Sequence, residues 1–357
     1  MAAIHQFLAS LSPRDAQSQH HLAIRDALRS AGYASEIYTG EAKGALRSVG
    51  RPFQSFEGGP DTWMLYAHAI GTPVADFVLQ RGEPLMLNYH NITPSSFFEP
   101  WEPVAAIRLA AGRRQLRPLV ARAQANLADS QYNARELLAL GARRCSVVPI
   151  MLDPDNFAVE PDASTVAQLR ARSTSSDTVR LLFVGRLAPN KCQHELVAAL
   201  PALRSRGLSA ELHLVGGSSS DRYERTLREY VKALDLHDVV HFVGSASPEV
   251  LAAHYAACDV FVCVSEHEGF CVPLLEAWHH GLPIVAYAGS AVGETLGGGG
   301  ISLSRKSPTV LAAAISRLVE DPALVEELRQ RGHDRLADFD PGRSRAALLT
   351  AVEAAVA

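Results

Sequence analysis

Short apolar runs alternate with longer segments of helical pattern along most of the chain. The short runs are rich in Val, Ile, Leu and Phe, which is typical of buried strands. Strands that alternate with helices predict an α/β protein with parallel sheets. In the first half the predicted strands are 3–8, 35–38, 62–66, 84–89 and 145–149, and the predicted helices include 20–30, 103–125 and 133–140.

A polar segment at 159–177, rich in Asp, Ser and Thr, interrupts this pattern and indicates a domain boundary. We therefore predict a first domain at 1–156 and a second at 157–340. Two α/β halves favour a ligand between them, at the carboxyl ends of the strands. The predicted strands of the second half are 179–184, 211–215, 239–243, 259–264 and 283–287, and a last helix at 341–357 follows a Pro-Gly break.

The composition is that of a folded globular protein and argues against a nucleic-acid-binding, disulfide-rich or membrane-spanning protein. Of the 357 residues, 47% are hydrophobic and 20% charged, and a net charge of −4 gives no overall attraction to nucleic acid. Five scattered cysteines without a C-x-x-C motif favour a reducing cytoplasm over a disulfide framework. No apolar run approaches the length of a membrane span, and the short apolar run at the N-terminus is interpreted as a first strand, not a signal peptide.

The segment from Ser265 to Gly281 carries the strongest chemical signal. It follows a predicted strand, and Pro273 suits the first turn of a helix. Glu268 is therefore expected in the strand-to-helix loop and Glu276 about one turn inside the helix. The backbone N–H groups at the start of that helix favour anions. The segment thus offers carboxylates for hydroxyl groups beside a site for phosphate, which a nucleotide sugar requires.

A second signal follows the strand at 179–184. Arg186 and Lys191 lie just beyond Gly185, at the predicted carboxyl end of the strand. A guanidinium offers a planar pair of donors for phosphate oxygens, and an ammonium offers a compact positive charge. Alone, the two cations are more typical of a solvated loop. Together with the Glu268 segment they indicate a diphosphate site.

These two motifs resemble those of a known family. The pattern G-R-x(4)-K after a strand, followed by E-G-F-x-x-P-x-x-E, is similar to the retaining glycosyltransferases of family 4, which have the GT-B architecture. The resemblance covers about 179–300, and in the first half it extends loosely to Y-H-N-I-T-P at 89–94 and A-D-S-Q-Y-N at 128–133. It implies two Rossmann-like α/β/α domains facing each other across a cleft, with 341–357 packing back on the first.

The resemblance also implies an activity. Such an enzyme transfers a sugar, most often a hexose, from a nucleotide-diphosphate sugar to a hydroxyl acceptor with retention of configuration. It needs neither a metal nor a cofactor beyond that donor. The acceptor could be a glycan, a lipid-linked molecule or a small molecule. The donor base, the sugar and the acceptor stay open at this point.

Roles follow from the resemblance residue by residue. Arg186 and Lys191 would hold the diphosphate, Glu268 the sugar hydroxyls and Glu276 the ribose. His90 would approach the donor sugar from the first domain, so the expected catalytic residues are Glu268, His90, Arg186 and Lys191. The remaining donor-site residues expected from the resemblance are Gly185, which precedes the two cations, Phe242 and Gly244 near the base, and Gly269, Phe270, Cys271 and Val272 near the sugar and phosphates.

The chain departs from the family pattern in two places. Position 271 is Cys where many members have Gly, so the local backbone or the sugar pocket is expected to differ. The loop at 12–18 lacks the paired glycines common there, which leaves acceptor and phosphate contacts from this loop open.

Other signals favour ordinary structural roles. The D-x-D triplets at 153–155 and 338–340 lie beside Pro or Gly, and we predict turns rather than metal sites. The pairs His20–His21 and His279–His280 lack the i, i+4 spacing of a helical metal site, so surface or core histidines are expected. The absence of G-x-G-x-x-G after the first strand disfavours a dehydrogenase.

Five arginines make the segment at 107–123 strongly basic, with Leu and Val between them; they are Arg108, Arg113, Arg114, Arg117 and Arg122. A basic amphipathic helix can bind an anionic membrane surface or an acidic acceptor. The alternative is a solvated face of a helix that packs on the first domain.

We interpret the chain as a cytoplasmic retaining glycosyltransferase with a front-face mechanism, because no nucleophile beneath the anomeric carbon can be named. Peripheral contact with a membrane through 108–122 stays open. One alternative is a nucleotide-sugar isomerase or epimerase on the same architecture, which would require further acid and base groups. Another is a non-catalytic nucleotide-sugar-binding subunit, which would bind the donor without turning it over.

Overall fold

The computed structural model describes residues 3–13, 15–152, 157–171 and 178–357. Contacts between residues divide the chain into two compact units. Unit 1 comprises Met1–Glu99, Pro103–Asp153 and Phe339–Ala357, and unit 2 comprises Pro100–Glu102 and Pro154–Asp338. Each unit contains one parallel sheet flanked by helices, so the predicted two-domain, Rossmann-like α/β class is confirmed.

The sheet of unit 1 has seven strands in the order β3-β2-β1-β4-β5-β6-β7, all parallel. The strands are β1 (Ala3–Leu8), β2 (Ile37–Thr39), β3 (Gly50–Pro52), β4 (Thr62–His68), β5 (Leu85–Tyr89), β6 (Ala125–Ala128) and β7 (Ser146–Val147). The helices that precede the second unit along the chain are α1 (Ala16–Ser30), α2 (Pro73–Gln80), α3 (Pro103–Arg122) and α4 (Gln131–Ala139). All residues of β4 and β5 are buried, because helices cover both faces of a parallel sheet.

The sheet of unit 2 has six parallel strands in the order β10-β9-β8-β11-β12-β13. The strands are β8 (Val179–Val184), β9 (Ala210–Val215), β10 (Val240–Gly244), β11 (Val260–Cys263), β12 (Ile284–Tyr287) and β13 (Ile301–Leu303). The helices are α5 (Ala163–Ala171), α6 (Gln193–Ser205), α7 (Asp221–Ala233), α8 (Pro248–Ala257), α9 (Pro273–His279), α10 (Val292–Leu296), α11 (Pro308–Glu320) and α12 (Pro322–Leu336).

The strand order of unit 2 reverses between β8 and β11. The chain builds outward from β8 to β10, then returns to the other side of β8 to place β11. At such a switch point the loops after the two central strands leave in opposite directions and open a crevice at their carboxyl ends. Both motifs predicted to bind the donor follow these two strands.

The last helix, α13 (Pro341–Val356), belongs to unit 1. Its residues Leu348 and Val352 are fully buried in a core that includes Ile24 and Leu28 of α1. Asp340 caps the helix, since its carboxylate accepts a hydrogen bond from the backbone N–H of Arg343. The helix therefore adds an apolar stripe to the core of the unit that begins the chain.

Burial of neutral histidine predicts acid sensitivity in unit 1. His68 ends β4 and is fully buried; its Nε2 lies 3.0 Å from the carbonyl of Gly112, and its Nδ1 lies 3.1 Å from the hydroxyl of Tyr66. Burial lowers the pKa of His68 from 6.5 to about 4. Between these values the unfolded chain binds a proton that the folded chain does not, so the free energy of unfolding falls as the pH falls.

Protonation of His68 should lower the free energy of unfolding by about 3 kcal/mol between pH 6.5 and pH 4. Urea unfolding at several pH values measures it, and in the His68→Gln variant the free energy of unfolding should depend less steeply on pH in this window. An unchanged slope in that variant would contradict the assignment.

Candidate functional site

Lys191 and Glu268 come together at the switch point of unit 2. Lys191 ends a 3-10 turn at Pro189–Lys191 after β8, and Glu268 lies in the loop after β11. The ammonium of Lys191 forms an ion pair with the Glu268 carboxylate, and the two side chains are 18% and 13% exposed. The two charges predicted from separate motifs thus form one half-buried pair.

Hydrogen bonds to the backbone hold the two loops against each other. The side-chain amide of Asn190 donates to the carbonyl of His267 over 3.0 Å, and the backbone carbonyl of Asn190 accepts from the backbone N–H of Glu266 over 2.9 Å. The hydroxyl of Ser290 accepts from the backbone N–H of Glu268 over 2.8 Å. Sequence reasoning missed Asn190 and Ser290, although N-K in the first motif and S in the stretch A-G-S are polar residues next to predicted strand ends.

Arg186 lies in the same loop but its side chain points to solvent. The residue is exposed, and its guanidinium makes no ion pair with any residue that the structure describes. Its backbone carbonyl accepts a hydrogen bond from Gln193 over 2.9 Å, so the backbone is fixed while the charge is available. Of the two cations predicted to bind a diphosphate, Lys191 is therefore paired with Glu268 and Arg186 is exposed to solvent.

Glu276 lies one turn inside α9, as predicted. Its carboxylate accepts a hydrogen bond of 2.7 Å from the hydroxyl of Tyr255 on α8. Burial raises the pKa of Glu276, and the Tyr255 hydroxyl opposes that shift. The Tyr255 ring stacks on His280 with centroids 4.9 Å apart. Tyr255 thus orients the carboxylate, a role that the sequence motif did not reveal.

The segment between the two glutamates presents backbone rather than side chains. Phe270 and Cys271 are 4% and 7% exposed, and the carbonyl of Phe270 accepts from the hydroxyl of Thr295 over 2.6 Å. Cys271 has φ +83°, in the left-handed region that favours glycine. The Cys at this position therefore adopts a backbone that Gly would take without strain, and its thiol lies 3.9 Å from that of Cys263.

Phe242 and Gly244, which were predicted to lie near a base, lie in β10, two strands from β8. The carbonyl of Gly244 accepts from the backbone N–H of Gly216 over 2.8 Å, and Gly244 has φ +75°. The guanidinium carbon of Arg228 lies 4.1 Å from the centre of the Phe242 ring. Two strand spacings place this end of the sheet about 10 Å from β8. A ligand reaching from Lys191 to Gly244 would have to span that distance.

His90 lies in unit 1 and is engaged on both ring nitrogens. Its side chain is fully buried, with Nδ1 2.8 Å from Asp129 and Nε2 2.9 Å from Nε2 of His21. Gln6 donates to the carbonyl of His21 and so presents its Oε1 to Nδ1–H of His21, which leaves Nε2 of His21 as an acceptor from His90. Contact between His90 and a sugar, as predicted, would require one of these hydrogen bonds to break.

The histidine pairs and aspartate triplets show structural contacts. His20 and His21 are buried, as the core alternative expected, and His280 stacks on Tyr255. In the triplet at 338–340, Asp338 accepts from Arg335 over 2.7 Å and Asp340 caps α13, which agrees with the predicted turn chemistry. The triplet at 153–155 lies outside the described residues.

The basic segment divides into two sets of arginines on α3. Arg113 binds Glu136 and the carbonyl of Ile92, and Arg122 binds the carbonyls of Arg81 and Glu83. The exposed residues of the helix include Val104, Ile107, Arg108, Arg114 and Arg117. Among the helices of the described residues, none has the length and apolar character that a membrane span requires.

A family model adds independent evidence for unit 2. The model described as glycosyl transferases group 1 matches residues 167–335, which contain both donor motifs. This region of the chain is therefore similar to that family. The predicted resemblance to GT-B glycosyltransferases of this group is therefore confirmed.

Two relatives and one solved structure illustrate the similarity. A D-inositol 3-phosphate glycosyltransferase of Geodermatophilus obscurus is 35% identical over 211 residues, which cover 55% of this chain and 46% of that protein. A GDP-mannose-dependent alpha-(1-6)-phosphatidylinositol monomannoside mannosyltransferase of Mycobacterium tuberculosis is 32% identical over 203 residues, 54% of this chain and 51% of that protein. The chain spans about half the length of the curated relatives it matches.

The solved structure of Anabaena Alr3699/HepE in complex with UDP-glucose has a TM-score of 0.74 to this chain and covers 98% of it and 99% of its own chain. At 18% identity this similarity establishes the fold alone.

Gly216 offers a test of how the loop after β8 is positioned. A Cβ at Gly216 would lie 2.1 Å from the carbonyl oxygen of Gly185, and Gly216 has φ +141°. Gly207 also has positive φ, at +81°, but a Cβ added there would meet open space, which leaves only the backbone strain. Gly216→Ala should therefore destabilise the protein by about 2–3 kcal/mol, and Gly207→Ala by about 1 kcal/mol.

Urea unfolding measures both variants. Because the Gly216→Ala contact pushes on the loop that carries Arg186 and Lys191, that variant alone should also lose affinity for nucleoside diphosphates. Equal behaviour of the two alanine variants would show that the close approach does not position the loop.

Proposed function

We propose that the chain is a retaining glycosyltransferase that transfers a sugar from a nucleotide-diphosphate sugar to a hydroxyl acceptor without a metal ion. The observation that carries the proposal is the Lys191–Glu268 ion pair at the switch point of unit 2. It joins a cation for phosphate to a carboxylate for hydroxyls, within the region matched by the family model. The donor requires both chemistries a few ångströms apart.

Donor binding would exchange the partners of this pair. A phosphate oxygen replaces Glu268 as the partner of Lys191, and the freed carboxylate accepts hydrogen bonds from sugar hydroxyls. Neither charge is left buried and unpaired, which keeps the cost of the exchange low. Arg186, exposed and without an ion pair among the described residues, adds a second cation from solvent to the same diphosphate.

The nucleoside would lie along the carboxyl edge of the sheet. Glu276, oriented by Tyr255, accepts hydrogen bonds from the ribose hydroxyls, and the backbone of Phe242–Gly244 borders the base. This assignment rests on the position of each residue along one edge of one sheet.

Transfer would proceed on one face of the sugar. The bond from the anomeric carbon to the phosphate oxygen breaks, the bond to the acceptor oxygen forms on the same side, and the acceptor's proton passes to the leaving phosphate oxygen. Lys191 and Arg186 stabilise the negative charge on the leaving group. A double displacement would need a carboxylate beneath the anomeric carbon, and Glu268 and Glu276 are both assigned to hydroxyl groups.

The similar proteins leave the donor base and the acceptor open. One relative is named for GDP-mannose, another for inositol 3-phosphate, and the solved structure holds UDP-glucose. The exposed face of α3, with Val104, Ile107 and three arginines, supports an anionic or lipid-linked acceptor at a membrane surface. A donor panel scored first by thermal shift and then by hydrolysis selects the base and the sugar.

Lys191→Ala tests the diphosphate assignment. Leaving a phosphate charge unpaired in a partly desolvated site should cost about 2–5 kcal/mol, so kcat/KM with the donor chosen by the panel should fall on the order of a hundredfold or more. Lys232→Ala is the matched control, because Lys232 is an exposed lysine on α7 of the same unit. Thermal unfolding confirms that both variants are folded.

A kcat/KM for Lys191→Ala within a few-fold of the Lys232→Ala value would reject the role of Lys191. A loss restored by Lys191→Arg would support a requirement for positive charge at this position.

A further inference from the structure

A group of histidines and one glutamate lies on the sheet of unit 2, away from the Lys191–Glu268 pair. Glu211 and His213 are two residues apart on β9 and therefore share one face of the sheet. His241 on the neighbouring strand β10 is the register partner of His213. Glu211 and His213 are 8% and 1% exposed, so both side chains are buried.

One carboxylate oxygen of Glu211 lies close to one ring nitrogen of each of the two histidines. Oε2 of Glu211 lies 3.6 Å from Nε2 of His213 and 3.6 Å from Nε2 of His241. A hydrogen bond between an imidazole and a carboxylate would measure about 2.9 Å. In a tetrahedral zinc site with bonds of about 2.0–2.1 Å, neighbouring ligand atoms lie about 3.4 Å apart. The observed separation is thus closer to that of zinc ligands than to that of hydrogen-bond partners.

The carboxylate of Glu211 also lacks a lysine or arginine partner among the residues that the structure describes. Its Oε2 is buried and makes no hydrogen bond to any residue that the structure describes. The nearest strand neighbour that could supply a cation is Arg180, the register partner of Glu211 on β8, but Arg180 contacts Asp259 and the carbonyl of Leu169. A buried carboxylate is costly unless it is paired, hydrogen-bonded or bound to a metal.

His254 on α8 lies beside these three residues and donates its Nδ1–H to the carbonyl of Val250 over 2.8 Å. The rings of His254 and His213 have centroids 5.6 Å apart, and a cavity of about 390 Å³ lined in part by His241 and His254 gives water access.

We propose that Glu211, His213 and His241 bind a zinc ion, with a water molecule as the fourth ligand. Two imidazole nitrogens and one carboxylate oxygen form a ligand set that suits zinc. The ion would fasten the edge strand β10 to β9. This inference is independent of the proposed glycosyl transfer, and no step of that reaction passes through the ion.

Metal content tests the proposal directly. Protein without an affinity tag is stripped with a chelator, reloaded with zinc chloride, gel-filtered and measured by mass spectrometry of the metal. Wild type should hold about one zinc per chain. His213→Ala and His241→Ala should weaken zinc binding at least about a hundredfold, because losing an orienting contact alone costs about tenfold to a hundredfold.

His237→Ala is the control for adventitious surface binding. His237 is 63% exposed and lies within 3.5 Å of carboxylates of both Asp235 and Asp238, so it is a competing histidine site in the same unit. Its removal should leave the zinc content unchanged. If the His213 variant does not fold, Glu211→Gln, which is nearly isosteric, should show the same loss of affinity.

Cobalt gives a readout from the wild-type protein itself. Cobalt(II) bound by two histidines and a carboxylate in tetrahedral geometry should produce an intense visible absorption band that zinc chloride removes stoichiometrically. Wild type that retains no zinc after reloading, or a zinc loss as large in His237→Ala as in His213→Ala, would overturn the proposal. Neither readout depends on glycosyl transfer, so a failure here leaves the proposed function unaffected.

Discussion

The ion pair between Lys191 and Glu268 is the interaction on which the function proposed for this protein depends. Each charge sits in a loop that leaves the carboxyl end of a central strand, and each side chain is less than one-fifth exposed. A partly buried charge needs a partner, so each residue holds the other in place until a ligand with complementary charges replaces it. A diphosphate linked to a polyhydroxy sugar provides both replacements at once.

The topology of the sheet brings the two charges to neighbouring positions. β8 and β11 are paired at the point where the strand order reverses, so the loops that carry Lys191 and Glu268 begin side by side at the carboxyl edge of the sheet. Asn190 then fixes their register by bonding to the backbone of the loop after β11 at two points. The close approach of Gly216 to Gly185 positions the loop after β8 from the other side. The chemistry of the site is thus set by backbone geometry before any ligand binds.

Much of the fold could be predicted from local sequence, because a buried strand flanked by turns has a short-range signature. The strands at 3–8 and 179–184 have the predicted bounds in the structure. β3 was missed because it is a three-residue, largely exposed edge strand, and β6 because A-N-L-A follows the long helix α3 without a break. Neither carries the apolar run on which the prediction relied.

Residues of the candidate site could likewise be predicted where they lie in a local motif, but not where they act through contacts with residues distant in sequence. Lys191 and Glu268 could be found because each lies in a compact motif beside a predicted strand. Asn190, Ser290 and Tyr255 could not, since each acts through a hydrogen bond to a residue 21 to 77 positions away, which only the folded chain brings near. His90 has a recognisable motif, but its environment is set by His21 and Asp129, distant in sequence. The cluster of Glu211, His213 and His241 likewise exists only across two strands.

Calorimetry of Glu268→Gln with two ligands tests the central claim most directly. The ligands are the nucleoside diphosphate that wild type binds most tightly and the matching nucleotide sugar. If the carboxylate serves sugar hydroxyls and otherwise occupies Lys191, its neutralisation should leave binding of the free diphosphate unchanged or tighter. Binding of the nucleotide sugar should lose the extra affinity that the sugar confers in wild type. An equal loss of affinity for both ligands would contradict the exchange of partners at Lys191.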